Sequence, residues 1–243
     1  MKTVFINASP KKRFSASDYF LDIQKCFVRG KKVREKLRNA GDFERILNTL
    51  RDADTVIFCL PLYVDGVPSH VLSFMKKMEV FCKENQLALK VYVISNGGFI
   101  EGNQNEALLQ VFENFCHRSN IAFGGGIGIG GGVMLNVIRL VLYLQVGILL
   151  LNILVSGIQY NNWLPVDVLS DFASSVLTII FLNLGVFFYT LRMGMAINKG
   201  AFFGKKYTRI LIPSIIFIPI ADFFFAIISL FKGGIFRGWF SKK

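Results

Sequence analysis

Between Arg139 and Asp167 the chain runs for 27 residues without a charged side chain, and between Asp171 and Arg192 for 20 more. A helix with no polar face has nothing to present to water, and about 20 predominantly apolar residues suffice to cross a bilayer. These windows divide the 243 residues into two parts that call for different solvents. Residues 1–132 carry 18 Lys and Arg against 13 Asp and Glu, whereas residues 133–243 carry 10 against 3. The first balance is that of a mildly basic globular domain. In the second, the cations flank apolar runs. Basic residues so arranged, mixed with acids in one part and bordering apolar segments in the other, argue against a nucleic-acid partner.

The first part alternates strand and helix. Residues 3–8 form a short β-rich run stopped by Ser9-Pro10, and Phe20, Ile23 and Phe27 follow at helical spacing between Ser15 and Val28. A weak strand is expected near Lys31–Arg38, then a helix through Phe43, Ile46, Leu47 and Leu50 with Asp42 as its cap. Thr55–Leu60 is apolar throughout, as expected of a central parallel strand covered on both faces. A helix over about 68–83, a strand at 91–94, a helix over about 105–118 and a glycine-laced strand at 121–129 complete the series. Five strands alternating with four helices predict an α/β domain with a doubly wound parallel sheet. Such sheets bind ligands at the carboxyl ends of their strands.

Three loops at those ends have suggestive chemistry. The segment Ser9–Ser17 joins the first strand to the first helix and combines the hydroxyls of Ser9, Ser15 and Ser17 with Lys11, Lys12 and Arg13. It reads either as a phosphate cradle at a helix N-terminus or as a capped helix behind a solvated basic loop. Pro61–Gly66 places Tyr63 where its ring covers a flat ligand or packs on its own helix. Asn96-Gly97-Gly98-Phe99 ends the fourth strand, where glycine lets backbone amides approach a ligand. Gly124–Gly132 has dinucleotide-like spacings but does not lie between the first strand and the first helix, so it reads as a permissive strand end and inter-domain hinge. His70 and His117 lie in helices without partners at ligand spacing. Cys26, Cys59, Cys82 and Cys116 form no metal-binding pattern and read as buried thiols of a reducing compartment. Those thiols lead to the expectation of a cytosolic domain, and Met1–Asn7 is too short an apolar run for a signal peptide.

The segments FINASPKKRFSAS (5–17), ADTVIFCLPLYVDGVPSH (53–70) and VYVISNGGFIEGNQN (91–105), with the glycine-rich end at 124–132, resemble the flavodoxin-like NAD(P)H-dependent FMN reductases. The resemblance spans Met1 to about Leu135 and implies a sheet of order 2-1-3-4-5. It also implies that Ser9, Lys11, Ser15 and Ser17 hold the FMN phosphate. Pro61, Leu62, Tyr63 and Val64 would line the isoalloxazine ring, with Asn96, Gly97, Gly98 and Phe99 along its other side and Glu101 and Asn105 behind them. NAD(P)H would be the electron donor. No catalytic side chain and no metal are implied, because the flavin carries the chemistry.

The second part, 133–243, is expected to be a helical membrane region with spans at about 134–156 and 172–191. The connection between them contains Tyr160, Asn161, Asn162, Trp163 and Pro165 but no Lys or Arg. The basic segment Arg192–Arg209 is expected as a cytoplasmic loop. Ile210–Phe231, with Pro213, Pro219 and Asp222, either spans or stays re-entrant or interfacial, leaving Lys232, Arg237, Lys242 and Lys243 beside anionic lipid. A soluble alternative remains, in which these helices extend the core or bury themselves in a homodimer. The expected function is that of a cell-membrane oxidoreductase with its flavin domain facing the cytoplasm, its partners the lipid bilayer and a small-molecule electron acceptor such as a quinone. The rival is a non-catalytic redox-sensing or docking module.

Overall fold

The computed structural model describes residues 1–12, 14–64, 66–160, 163 and 166–231. Arg13, Asn161, Asn162, Pro165 and the basic tail from Lys232 onward therefore lie outside the described residues. In chain order the elements are β1 (Lys2–Asn7), α1 (Ala16–Phe27), β2 (Lys31–Lys36), α2 (Phe43–Leu50), β3 (Thr55–Pro61), α3 (Ser69–Glu84), β4 (Lys90–Asn96), α4 (Glu106–Arg118), β5 (Ala122–Gly130), α5 (Gly132–Tyr160), α6 (Val166–Leu182), α7 (Leu184–Asn198), β6 (Gly204–Arg209) and α8 (Ser214–Phe231).

Strands that are apolar on both faces need cover on both, and the sheet has it. Val4, Ile6, Val56, Phe58, Leu60, Val91 and Val93 pack on one side against α2, α3 and α4. The opposite side, with Phe5, Ile57, Tyr92 and Ile94 all buried, meets α1 and α7. All strands run parallel in the order β2-β1-β3-β4-β5-β6. The first five reproduce the flavodoxin-like order; the sixth corrects the expected count of five. It comes from the segment expected to be a basic loop. β6 is an edge strand, and its polar sequence Gly-Lys-Lys-Tyr-Thr-Arg suits an edge. Lys205 reaches Glu106 at 3.0 Å and Glu113 at 3.1 Å on α4, and Arg209 reaches Glu101 at 2.7 Å.

The glycine run is no hinge but β5 itself, held between β4 and β6. Its glycines exist for close approach. A β-carbon at Gly128 would lie 2.7 Å from the Gly102 carbonyl oxygen, and one at Gly126 would lie 2.7 Å from the Leu109 side chain. Ile127 and Ile129, on the other face, are buried. One face of the strand is thus bare, so the turn at Gly102–Asn105 lies directly on the sheet.

The compact units are Met1–Ile210 and Leu211–Lys243, so the expected boundary at 132 falls inside the first of them. The cause is α7. Val186, Thr190, Met193, Gly194 and Ile197 form its buried stripe, which packs beside α1. At one end the Tyr19 hydroxyl donates to Asn183 Oδ1 at 2.9 Å; at the other, Asn198 accepts from the Arg29 amide at 2.8 Å and donates to the Phe27 carbonyl at 2.9 Å. Burial pushes the Tyr19 phenol up to about 12, so it remains a donor at neutral pH. The expected second span at 172–191 is consequently not one straight helix: α6 and α7 meet at a 60° bend. α5 and α6 pack on each other as a hairpin set between β5 and the helix that covers it. Val137–Gln159 is the one described helix long and apolar enough to cross a membrane. Leu144, Leu150, Leu151 and Ile158 on it are exposed.

In the second unit, the Ile216 and Phe217 amides bond to the Pro213 carbonyl at 3.0 and 2.9 Å, starting α8, and Pro219 interrupts its ladder. Two smaller expectations also change. Asp42 makes no side-chain cap to α2; its carboxylate accepts from the Arg38 amide at 2.9 Å. Cys26 is exposed, while the other three cysteines are buried.

Gly194 lets α7 close on α1, since a β-carbon there would sit 2.5 Å from Phe27 Cβ, whereas Gly147 on α5 has open space around it. Gly194→Val should therefore cost about 1–3 kcal/mol of stability in thermal unfolding followed by circular dichroism, with Gly147→Val near neutral.

Candidate functional site

Because every strand is parallel, the loops after β1, β3 and β4 gather at one edge of the sheet. The strand order reverses between β1 and β3, which opens the crevice used by ligands in such sheets. Each loop is shaped by its own polar side chains.

After β1, Asn7 organises the turn: its Oδ1 accepts from the Ser9 amide at 2.9 Å and its Nδ2 donates to Ser15 Oγ at 3.2 Å. Ser9 Oγ accepts from the Lys11 amide at 3.4 Å. Ser15 is the N-cap of α1, accepting from the Asp18 amide at 3.1 Å and donating to the Asp18 carboxylate at 2.9 Å. Ser9, Ser15 and Ser17 are all buried, and Lys11 and Lys12 are exposed. The capped helix is thus real, and Lys11 stands exposed on the loop that leads into its positive end.

After β3, the Leu62 amide donates to the Asn96 carbonyl at 2.9 Å. Tyr63 and Gly66 exchange N–H···O bonds of 3.1 and 2.9 Å, closing a tight turn that lifts Val64 wholly into solvent. Tyr63 is 44% exposed, Pro61 is half-buried, and Leu62 packs on the core. His70 Nε2 lies 3.0 Å from the Ala8 carbonyl, a bond that needs the proton on that nitrogen. It pins the start of α3 to the β1 loop.

After β4, the Gly97 amide donates to the Ile129 carbonyl and the Gly132 amide to the Gly97 carbonyl, each at 2.9 Å. Gly98 is exposed and Phe99 is 61% exposed. Asn96 lies beneath, buried, its Nδ2 donating to the Leu60 carbonyl at 3.0 Å and to Ser17 Oγ at 3.3 Å. Asn105 accepts from Ser95 Oγ at 2.6 Å and donates to the Gly102 carbonyl at 2.9 Å, and Glu101 holds Arg209.

The expected residues therefore share one edge but divide by role. Lys11, Tyr63, Val64, Gly98 and Phe99 face outward, while Ser17 and Asn96 bind separate loops to one another and Ser9 and Ser15 hold the β1 loop and the start of α1 together. Asn7 and His70 complete those ties. Asn7 was legible only as an Asn at a strand end, a position that favours bonding from its side chain to the backbone two residues on. A helix N-terminus with a lysine on one side, and two exposed aromatic rings on separate loops, suits a ligand with a phosphate and a flat ring. Burial pushes the thiol of Cys59, below the loops, well up, so it supplies no thiolate.

The first unit is thus a flavodoxin-like α/β domain with a helical hairpin inserted after β5. No family model matches the chain, and no curated protein matches it. Among solved structures it is similar to the Trp repressor binding protein from Bacillus subtilis, at 19% identity over 51% of this chain and 85% of that one, with a TM-score of 0.43. It is similar to an NADPH-quinone reductase from P. pentosaceus at 17% identity over 52% and 83%, with a TM-score of 0.44. General stress protein 14 of Treponema denticola, in complex with FMN, matches at 14% identity over 52% and 84%, with a TM-score of 0.42.

Asp18 is the titratable group at the first loop. Burial raises its pKa, but the Ser15 and Asn7 hydrogen bonds and Arg34 together outweigh burial and hold the carboxyl below its ordinary value. A depressed folded-state pKa stabilises above the unfolded value, about 4, and the benefit is lost as pH falls through the folded value. Asp18→Asn should lower stability at neutral pH and flatten the decline below about pH 4 in acid titrations followed by circular dichroism.

Proposed function

We propose that the chain is a membrane-anchored FMN-dependent oxidoreductase, taking reducing equivalents from NAD(P)H and passing them to a small acceptor such as a quinone. The observation that carries this reading is the convergence of the three cross-tied loops over the switch in strand order, with the α1 N-terminus and Lys11 on one side and the Tyr63 and Phe99 rings exposed on the others. FMN bound there would supply hydride acceptance and onward transfer of one or two electrons. Lys11 and the backbone amides of the β1 loop would hold the phosphate. Tyr63 and Phe99 would shield the ring from water, and Gly97 and Gly98 would let the β4 loop lie close to it. Asn96 and His70 act as positioning residues, their polar atoms already bonded to Leu60, Ser17 and Ala8.

The hairpin supports the membrane part of the reading. α5 leaves the sheet directly after β5, and the candidate span starts at Val137, about 8 Å along the helix axis from Gly132. The tip between α5 and α6 has no Lys or Arg, as a translocated loop should, which keeps the basic α/β domain in the cytoplasm.

Purified full-length protein should carry a flavin absorption spectrum and oxidise NAD(P)H when a quinone is added. Tyr63→Ala should weaken FMN binding about fivefold in a fluorescence titration. Protein that retains no FMN and does not respond to added FMN would overturn the reading, and bound flavin without turnover would favour the docking module. Replacing residues 138–180 by a short Gly/Ser linker should move the chain from the membrane fraction to the soluble one on ultracentrifugation.

A further inference from the structure

A cavity of about 420 Å³ opens where the β1–α1 loop, the end of β2 and the foot of α5 meet. Arg34 bridges both carboxylates of its floor, Asp18 at 2.6 Å and Asp22 at 2.5 Å, so the floor keeps one negative charge against three cations at the rim. Its rim is cationic. Lys12, Lys36 and Arg139 all line it, and among the described residues no carboxylate lies in ion-pair contact with the Lys12 or Lys36 ammonium. The Arg38 guanidinium holds the Lys12 carbonyl at 2.8 Å, so the backbone carrying Lys12 is fixed at the mouth. The Arg139 guanidinium lies 5.5 Å from the centre of the Tyr19 ring.

The cavity continues into the candidate span. Arg139 stands at the start of the candidate span, and Tyr143, also lining the cavity, follows one turn later on the same face of α5. That face continues through Gly147, with nothing within 4 Å of its β-carbon position, to Leu150 and Leu154, which are 62% and 52% exposed. Cations at one end and an uninterrupted exposed apolar track at the other fit an amphiphile rather than a soluble anion.

We propose that this cavity binds the phosphate headgroup of an anionic phospholipid whose acyl chains lie along the Tyr143–Leu154 face of α5. The inference rests on the membrane placement of the hairpin. Its cost and benefit are legible in the charges: each lysine or arginine near an anionic surface strengthens attachment about fivefold, and the aromatic ring of Tyr143 sits where the headgroup meets the chains.

The test uses full-length protein incorporated into vesicles of phosphatidylcholine alone, or of phosphatidylcholine and phosphatidylglycerol at about three to one. Flotation shows insertion, and native mass spectrometry of the detergent-extracted protein shows which lipid stays bound. Retention of phosphatidylglycerol over phosphatidylcholine is expected, falling about fivefold in Lys36→Gln and kept in Lys36→Arg. Arg139→Gln should act in the same direction at the other wall of the cavity. A preference unchanged in both neutral variants would overturn the lipid site, as would displacement of the lipid by inorganic phosphate as effectively as by phosphatidylglycerol. Failure to float with either vesicle would instead overturn the membrane placement, and the lipid site with it.

Discussion

The side-by-side packing of α7 on α1 is the contact on which the architecture depends. The β5–β6 connection could have been one short crossover helix, because a parallel pair needs only a helix to return the chain. Here it contains α5, α6 and α7, and only α7 covers the sheet. Its buried stripe, the Tyr19–Asn183 bond at one end and the paired Asn198 bonds at the other fix where the hairpin leaves and rejoins the domain. Both of its feet are therefore held near the N-terminal end of α1, at the edge where the ligand loops gather. A Gly132 β-carbon would fall 2.8 Å from Asn96 Cβ and 3.4 Å from the Phe20 ring, which shows how tightly the first foot is set against the site's own framework.

The α/β pattern was readable because its signals are local. An apolar strand such as Thr55–Leu60 or a helical stripe such as Val71, Phe74, Met75 and Met78 is written in consecutive residues. β6 was not readable in that way. Its lysines and arginine suit a solvated loop equally well, and only the carboxylates of α4 and the neighbouring turn, about a hundred positions earlier, make it a strand. α7 failed for the opposite reason. Its residues are apolar enough to continue a membrane span, and hydropathy cannot tell lipid from the back of a sheet. The local hints of the bend were Asn183, a polar residue in the middle of an uncharged window, and Gly185 two positions on.

The candidate site shows the same division. Lys11, Tyr63 and Phe99 could be placed by loop position, since an exposed side chain at a strand's carboxyl end needs no long-range partner. The serines and Asn96 could be placed at the edge but not assigned to its interior. Ser15 caps α1 through a bond three residues long that spacing does specify, but Ser17 and Asn96 depend on bonds between α1, β3 and β4 that no spacing specifies. These internal bonds give the loops their rigidity before any ligand arrives, and preorganisation of that kind lowers the entropy lost on binding.

The position of the hairpin in the chain also sets an order of events during synthesis. β1 to β5 emerge first, but the sheet face that α7 covers and the edge that β6 closes stay bare until the whole hairpin has been made. Ile127 and Ile129, buried in the finished protein, have no α7 beside them while α5 and α6 are still being made. Completion of the domain therefore follows the hairpin's own fate. A nascent chain whose hairpin has not found its environment keeps an exposed apolar face and an unpaired β5 edge, the features by which chaperones and proteases recognise unfinished protein.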